Sequence, residues 1–124
     1  MKHRKVMVVE DDHLIREAIA EALDEEGFEV VEAANGREAL EKLHHEGASL
    51  VLLDLMMPVM DGWQFRQAQV QNETLASIPV IVVSAAGRDR IERIDADAYL
   101  SKPIDLEELL RYVTEFCPSG DGPA

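Results

Sequence analysis

The sequence predicts an α/β fold: five strands alternating with five helices, the strands forming a parallel sheet sandwiched between two helical layers. Three observations predict it. Short Val/Ile/Leu runs alternate with longer stretches whose apolar residues recur at helical spacing. Two of the runs, Leu50-Val51-Leu52-Leu53 and Val80-Ile81-Val82-Val83, are apolar throughout, as strands covered on both faces must be. Polar residues follow the runs, and in a parallel sheet joined by right-handed crossovers those positions fall along one edge.

Each element has its own signals. Val6-Met7-Val8-Val9 is a short strand running into Glu10-Asp11-Asp12. Leu14, Ile15, Ala18, Ile19, Ala22 and Leu23 then recur at helical spacing, with Gly27 as the stop. Glu29-Val30-Val31-Glu32-Ala33 reads as the second strand. Asn35-Gly36 opens a helix with Ala39, Leu40 and Leu43 on one face, closing near Gly47. The central strand is expected over residues 49–54, ending at Asp54, and a turn with Pro58 and Gly62 carries the chain away. A less regular helix follows with Trp63, Phe65 and Val70, and Pro79 marks entry to the fourth strand, which ends at Ser84. A short helix with Ile91 and Ile94 leads to Ala98-Tyr99-Leu100-Ser101-Lys102-Pro103. The last helix opens at Asp105, with Glu108 three residues on as in a capping box, and lays Leu106, Leu109, Leu110, Val113 and Phe116 along its inner stripe.

At 124 residues the chain is one domain, large enough to bury a core without staples. We expect that domain over residues 1–118, with 119–124 as a disordered tail or the start of a linker. A formal net charge of −13 argues against direct binding to nucleic acid or an anionic membrane. One cysteine, Cys117, excludes an internal disulfide. The basic start, Met1-Lys2-His3-Arg4-Lys5, leads into too few apolar residues for a signal-peptide core, and no run approaches membrane length. The expected location is cytoplasmic.

The polar residues at the strand ends carry the chemistry. Glu10 and Asp11 follow the first strand, Asp54 ends the third, Ser84 the fourth and Lys102 the fifth. Taken alone, Asp54 reads equally well as a turn cap. Gathered at one edge, the acids repel: a carboxylate pair costs roughly 4 kcal/mol at about 4 Å with an effective dielectric near 20. A proton or a cation must relieve this, and a hard divalent ion such as Mg²⁺, or Mn²⁺ in its place, suits oxygen ligands. One oxygen of Asp54 can then ligate metal while the other attacks phosphorus, giving an aspartyl phosphate. Ser84 and Lys102 supply a hydroxyl and a positive charge for the phosphoryl oxygens.

At these residues the whole chain resembles the receiver domain of bacterial two-component response regulators. The matching motifs are Val8-Val9-Glu10-Asp11-Asp12, the run from Asp54 through Met56-Met57-Pro58 to Asp61-Gly62, Val83-Ser84-Ala85, and Tyr99-Leu100-Ser101-Lys102-Pro103. The resemblance implies a flavodoxin-like (βα)5 sandwich with strand order 2-1-3-4-5, and phosphotransfer from a histidine kinase or histidine phosphotransfer protein to Asp54. It implies metal ligation by Asp11, Asp54 and the backbone carbonyl of Met56, with Glu10 reaching the ion through water. It also implies that Ser84 and Lys102 hold the phosphoryl group, that Tyr99 is the aromatic that turns inward on activation, and that the Lys102–Pro103 peptide is cis. Such a domain catalyses only its own phosphorylation and dephosphorylation and acts on a downstream protein that the sequence does not name. We expect either a single-domain regulator or a fragment of something longer, since no effector domain follows Phe116.

Other residues take plainer roles. Asp12 and Asp61 read as a helix N-cap and a turn residue rather than ligands. His13 has no second histidine placed to join it, and the adjacent His44 and His45 lack ligand spacing. Trp63 is expected to pack within the third helix. Between Ser84 and Lys102 stand 17 residues, about one helical turn fewer than the family usually has. The shortfall falls in the fourth helix, where Arg88, Arg90 and Arg93 are expected to form a solvated face with Asp89 and Arg93 paired. Two other classes fit worse. A phosphohydrolase wants a second acid where Met56 stands, and a flavodoxin-like electron carrier wants a hydroxyl- and glycine-rich loop where Glu10-Asp11-Asp12 stands. A receiver-like interaction module that works without phosphorylation is the alternative reading.

Overall fold

The computed structural model describes residues 4–85 and 94–117. Nine elements follow in chain order: β1 (Lys5–Val9), α1 (His13–Glu25), β2 (Glu29–Ala33), α2 (Gly36–Glu46), β3 (Leu50–Leu53), α3 (Gly62–Val70), β4 (Val80–Ser84), β5 (Ala98–Ser101) and α4 (Leu106–Phe116). The five strands form one sheet, β2-β1-β3-β4-β5, parallel throughout. The expected short helix before β5 and its arginine face fall in residues 86–93, outside the described residues.

Strand alternation divides the core into two layers. Met7, Val9, Val51, Leu53 and Val82 face one side, where they meet Ala39 and Leu43 of α2 and Phe65 of α3. Val6, Val8, Leu50, Leu52, Ile81 and Val83 face the other, against Ile19 and Leu23 of α1 and Leu109 and Val113 of α4. β3 and β4 are buried at every position, which is why their sequences show no alternation. β2 is an edge strand and is less buried, with Glu29 and Glu32 exposed and Val31 and Ala33 buried.

The helix ends follow local chemistry. Asp12 caps α1 by accepting from Leu14 N–H and Ile15 N–H, Asn35 caps α2 from Glu38 N–H, and Asp105 caps α4 from Glu107 N–H and Glu108 N–H. Asp61 differs from the expected plain turn residue. It caps α3 in a full capping box, its carboxylate accepting from Gln64 N–H while the Gln64 side chain accepts from Asp61 N–H. Gly47 closes α2 at φ 71, a conformation that L side chains rarely adopt. Two residues expected on inner faces lie further out. Leu14 is 75% exposed and Leu106 38%, each in the first turn of its helix.

Candidate functional site

The site lies at the carboxyl ends of β1, β3, β4 and β5. Register brings them level: Val9 pairs with Leu53, Leu53 with Val82, and Ser84 with Ser101. Asp54 continues from β3 with its N–H donating to Val9 C=O at 3.0 Å, and Lys102 continues from β5 with its N–H donating to Ser84 C=O at 3.1 Å. Residues read as distant in sequence therefore meet. Carboxylate oxygens of Glu10, Asp11 and Asp54 lie within 4.8 Å of one another, with Asp11 exposed and the other two buried. Lys102 Nζ reaches Glu10 Oε1 at 2.6 Å and Asp54 Oδ2 at 3.5 Å.

Backbone amides hold the carboxylates of Glu10 and Asp54. The second oxygen of Glu10 accepts from Asp12 N–H at 3.1 Å, and Glu10 N–H donates to Ala33 C=O at 3.0 Å. Asp54 Oδ1 accepts from Met56 N–H at 3.4 Å, so the structure gives Met56 a contact through its amide. Ser84 is fully buried at the end of β4. Tyr99 points outward, 41% exposed, its hydroxyl donating to Ile94 C=O at 2.5 Å and accepting from Ala96 N–H at 3.1 Å. The Lys102–Pro103 peptide is cis. Trp63 is half-buried on α3 against the core layer of Phe65.

The loop from Asp54 to α3 approaches its surroundings closely. Gly62 N–H donates to Leu55 C=O at 2.9 Å, and a Cβ on Gly62 would stand 2.7 Å from both Asp54 C=O and Leu55 Cα. Only glycine leaves that space. Gly62→Ala is expected to cost about 2–3 kcal/mol, since the colliding atoms are backbone and cannot step aside without moving Asp54. Urea denaturation measures this; an unchanged midpoint would show that the loop yields freely. Val59, in the same loop, adopts φ 69 at the centre of a γ-turn closed by Met60 N–H donating to Pro58 C=O at 2.7 Å. A β-branched residue there is strained, and such strain collects at functional loops.

Electrostatics suit a cation. Burial, opposed by Lys102, pushes the Glu10 carboxyl up to about 7. Burial also raises Asp54, against the charge of Lys102. Burial works against the charge on Lys102, but the hydrogen bond to Glu10 and the charge of Asp54 prevail and raise its pKa. One ammonium facing three ionised carboxylates leaves an excess of negative charge matched to a divalent ion, and the all-oxygen donor set fits a hard one.

A pH dependence follows. Folded Glu10 holds its proton to about 7 while the unfolded side chain releases it near 4.5. Between those values the folded state binds more protons, so stability falls as pH rises, by at most about 3–4 kcal/mol. With a chelator present, melting temperature should decline from pH 5 to 8. Added Mg²⁺ should stabilise the protein most above about pH 7, where the carboxyls are ionised. A chelated sample whose stability climbed across that interval would contradict the assignment.

Sequence reasoning missed two residues at this site. One is Gly62, read as part of a turn and of the matching motif but not as a close approach to the Asp54 backbone. The other is Arg16, whose guanidinium donates to Glu10 C=O at 2.8 Å. Its one sequence signal is a cation four residues past Asp12, one helical turn beyond the acids.

A parallel α/β sheet that gathers three carboxylates and a lysine at its strand ends defines a class: domains with an acidic pocket adapted to a cation beside a fixed positive charge. Within that class the chain belongs to the response regulator receiver domain family of two-component systems, whose family model matches residues 6–114. It is 40% identical over 113 residues to the probable transcriptional regulator ycf29 of Pyropia yezoensis, covering 88% of this chain and 51% of that protein. It is 37% identical over 117 residues to the transcriptional regulatory protein CrdR of Helicobacter pylori, covering 91% of this chain and 54% of that protein. The crystal structure of a CheY-like response regulator receiver domain protein from Methanospirillum hungatei superposes with a TM-score of 0.84 at 28% identity, covering 92% of this chain and 93% of that one. The chain spans about half the length of the curated relatives it matches. Among the described residues no helix is long and apolar enough to cross a membrane.

Proposed function

We propose that the domain is a phosphorylation switch in which Asp54 accepts a phosphoryl group from a histidine kinase or a histidine phosphotransfer protein. The observation that carries this is the meeting of Glu10, Asp11, Asp54 and Lys102 at one sheet edge. Asp11, Asp54 and the carbonyl of Met56 would hold Mg²⁺ or Mn²⁺, with Glu10 acting through water. The ion, when bound, neutralises the phosphoryl oxygens so that two anions can approach.

The chain's own residues do the rest. An ionised Asp54 oxygen attacks phosphorus while the P–N bond to the donor imidazole breaks and its electron pair leaves with the imidazole. Lys102 moves from the carboxylates to a phosphoryl oxygen, and Ser84 donates its hydroxyl to another. In this way the domain catalyses its own phosphorylation and, with water as nucleophile, its own dephosphorylation. Recruiting Ser84 is coupled to Tyr99, which exchanges its contacts with Ile94 and Ala96 for an inward position. The output is contact with a downstream protein, in the cytoplasm, with no direct role in nucleic-acid binding for this domain.

Beryllofluoride with Mg²⁺, followed through Trp63 fluorescence, tests the proposal. A saturable change that needs Mg²⁺ and disappears in Asp54→Asn supports it. No change under any metal condition, with Tyr99 resonances also unmoved, would count against the switch.

A further inference from the structure

We infer that Arg16 is a positioning residue for the cation site, acting through the Glu10 carbonyl and itself anchored by Glu32. The inference rests on the reading of that pocket as an Mg²⁺-dependent phosphoacceptor site. Arg16 lies in the first turn of α1, its side chain 16% exposed. Nη1 donates to Glu10 C=O at 2.8 Å and Nε donates to Glu32 Oε1 at 3.2 Å, while Nη2 meets His13 Nδ1 at 3.2 Å. Glu32 stands on β2 opposite Val8, so its position is set by the sheet.

The contact acts on a peptide that the sheet itself no longer holds. β1 ends at Val9, and Glu10 C=O lies beyond the strand ladder. That carbonyl shares a rigid plane with the N–H of Asp11. Ala33 C=O holds the preceding peptide through Glu10 N–H, and Arg16 holds the Glu10–Asp11 peptide through Glu10 C=O. With Glu10 held on both sides, rotation of the Glu10–Asp11 peptide is restrained, and with it the Cα from which the exposed Asp11 carboxylate projects. Without Arg16 the Glu10 carbonyl loses that restraint. A lysine cannot replace the guanidinium, because two acceptors in different directions need its planar fork. Groups that orient metal ligands in this manner typically change metal affinity about 10- to 100-fold when removed.

The bland alternative is that Arg16 staples α1 to β2 and affects stability alone. Calorimetric titration with MgCl₂ at low temperature separates the two, with folding of every variant checked by circular dichroism. Arg16→Ala is expected to weaken Mg²⁺ binding about tenfold or more, and Arg16→Lys to recover little of it. Glu32→Gln should weaken binding in the same direction by less, and adding it to Arg16→Ala should change nothing further, because Glu32 acts through Arg16. Arg66→Ala is the control. It removes an arginine bound to Asp95 C=O and Gln69 Oε1 and should lower stability without moving the Mg²⁺ affinity. A folded Arg16→Ala protein binding Mg²⁺ within about twofold of wild type would overturn the inference, since that is well below a ligand-orienting effect. Should that variant fail to fold, unchanged binding by Arg16→Lys and Glu32→Gln would overturn it equally. A wild-type protein that binds no Mg²⁺ is a different failure, and would remove the phosphoacceptor reading itself.

Discussion

Asp54→Asn is expected to take up no measurable phosphoryl group, less than about one-hundredth of the wild-type amount under the same conditions. An amide has the shape of the carboxylate but not its nucleophilic oxygen, and no second acid at the site is placed to substitute. Glu10 is held at both oxygens, by Lys102 and by Asp12 N–H. Asp11 lies on the exposed side of the cluster. The same substitution removes one of three mutually repelling carboxylates, so the chelated protein should unfold at higher urea than wild type, while Mg²⁺ binding weakens. The two effects have opposite signs. A general loss of structure would lower both, so the pair of measurements separates chemistry from misfolding.

Lys102→Met is expected to be the most damaging change to the site as a whole. It leaves Glu10 and Asp54 buried with their shared cation gone, the situation in which losing one partner of a buried ion pair costs about 3–5 kcal/mol. Protonation of Glu10, already raised to about 7, should absorb part of that cost at acid pH, so the deficit should grow as pH rises from 6 to 8. Phosphorylation by acetyl phosphate should slow about hundred- to thousandfold, the usual effect of removing one donor to a developing anion. Urea titration at two pH values and the rate of adduct formation check the two halves. A stability loss without a rate loss would make Lys102 a structural counter-ion and nothing more.

Much of this arrangement was legible in the sequence because the parallel sheet imposes it. The unbroken runs at Leu50–Leu53 and Val80–Ser84 announce burial on both faces, and such strands place whatever follows them at the same edge. That is why Glu10, Asp54 and Lys102 could be grouped before any coordinates. Strand order was not legible from periodicity, since pattern fixes what a strand is and not which strand lies beside it; it came from resemblance. The capping box at Asp61 was visible as Asp61-Gly62-Trp63-Gln64 but was masked by the turn signals of Pro58 and Gly62. Leu14 was misplaced because helical spacing marks a face along the whole helix, whereas the sheet covers only its middle. Arg16 was not assigned to the site because its partner there is a backbone carbonyl, and a carbonyl leaves no trace in the identity of a residue. The Gly62 clash is a property of three-dimensional approach and has no one-dimensional signature.

The most direct test of the central claim is intact mass after incubation with acetyl phosphate and Mg²⁺, beside Asp54→Asn and a chelated control. The account predicts a single phosphoryl increment on the wild-type protein, absent from both controls. An increment that persisted in Asp54→Asn or in chelator would contradict the assignment of Asp54 and its cation. No increment even with rapid quenching would leave a receiver fold that signals by binding alone.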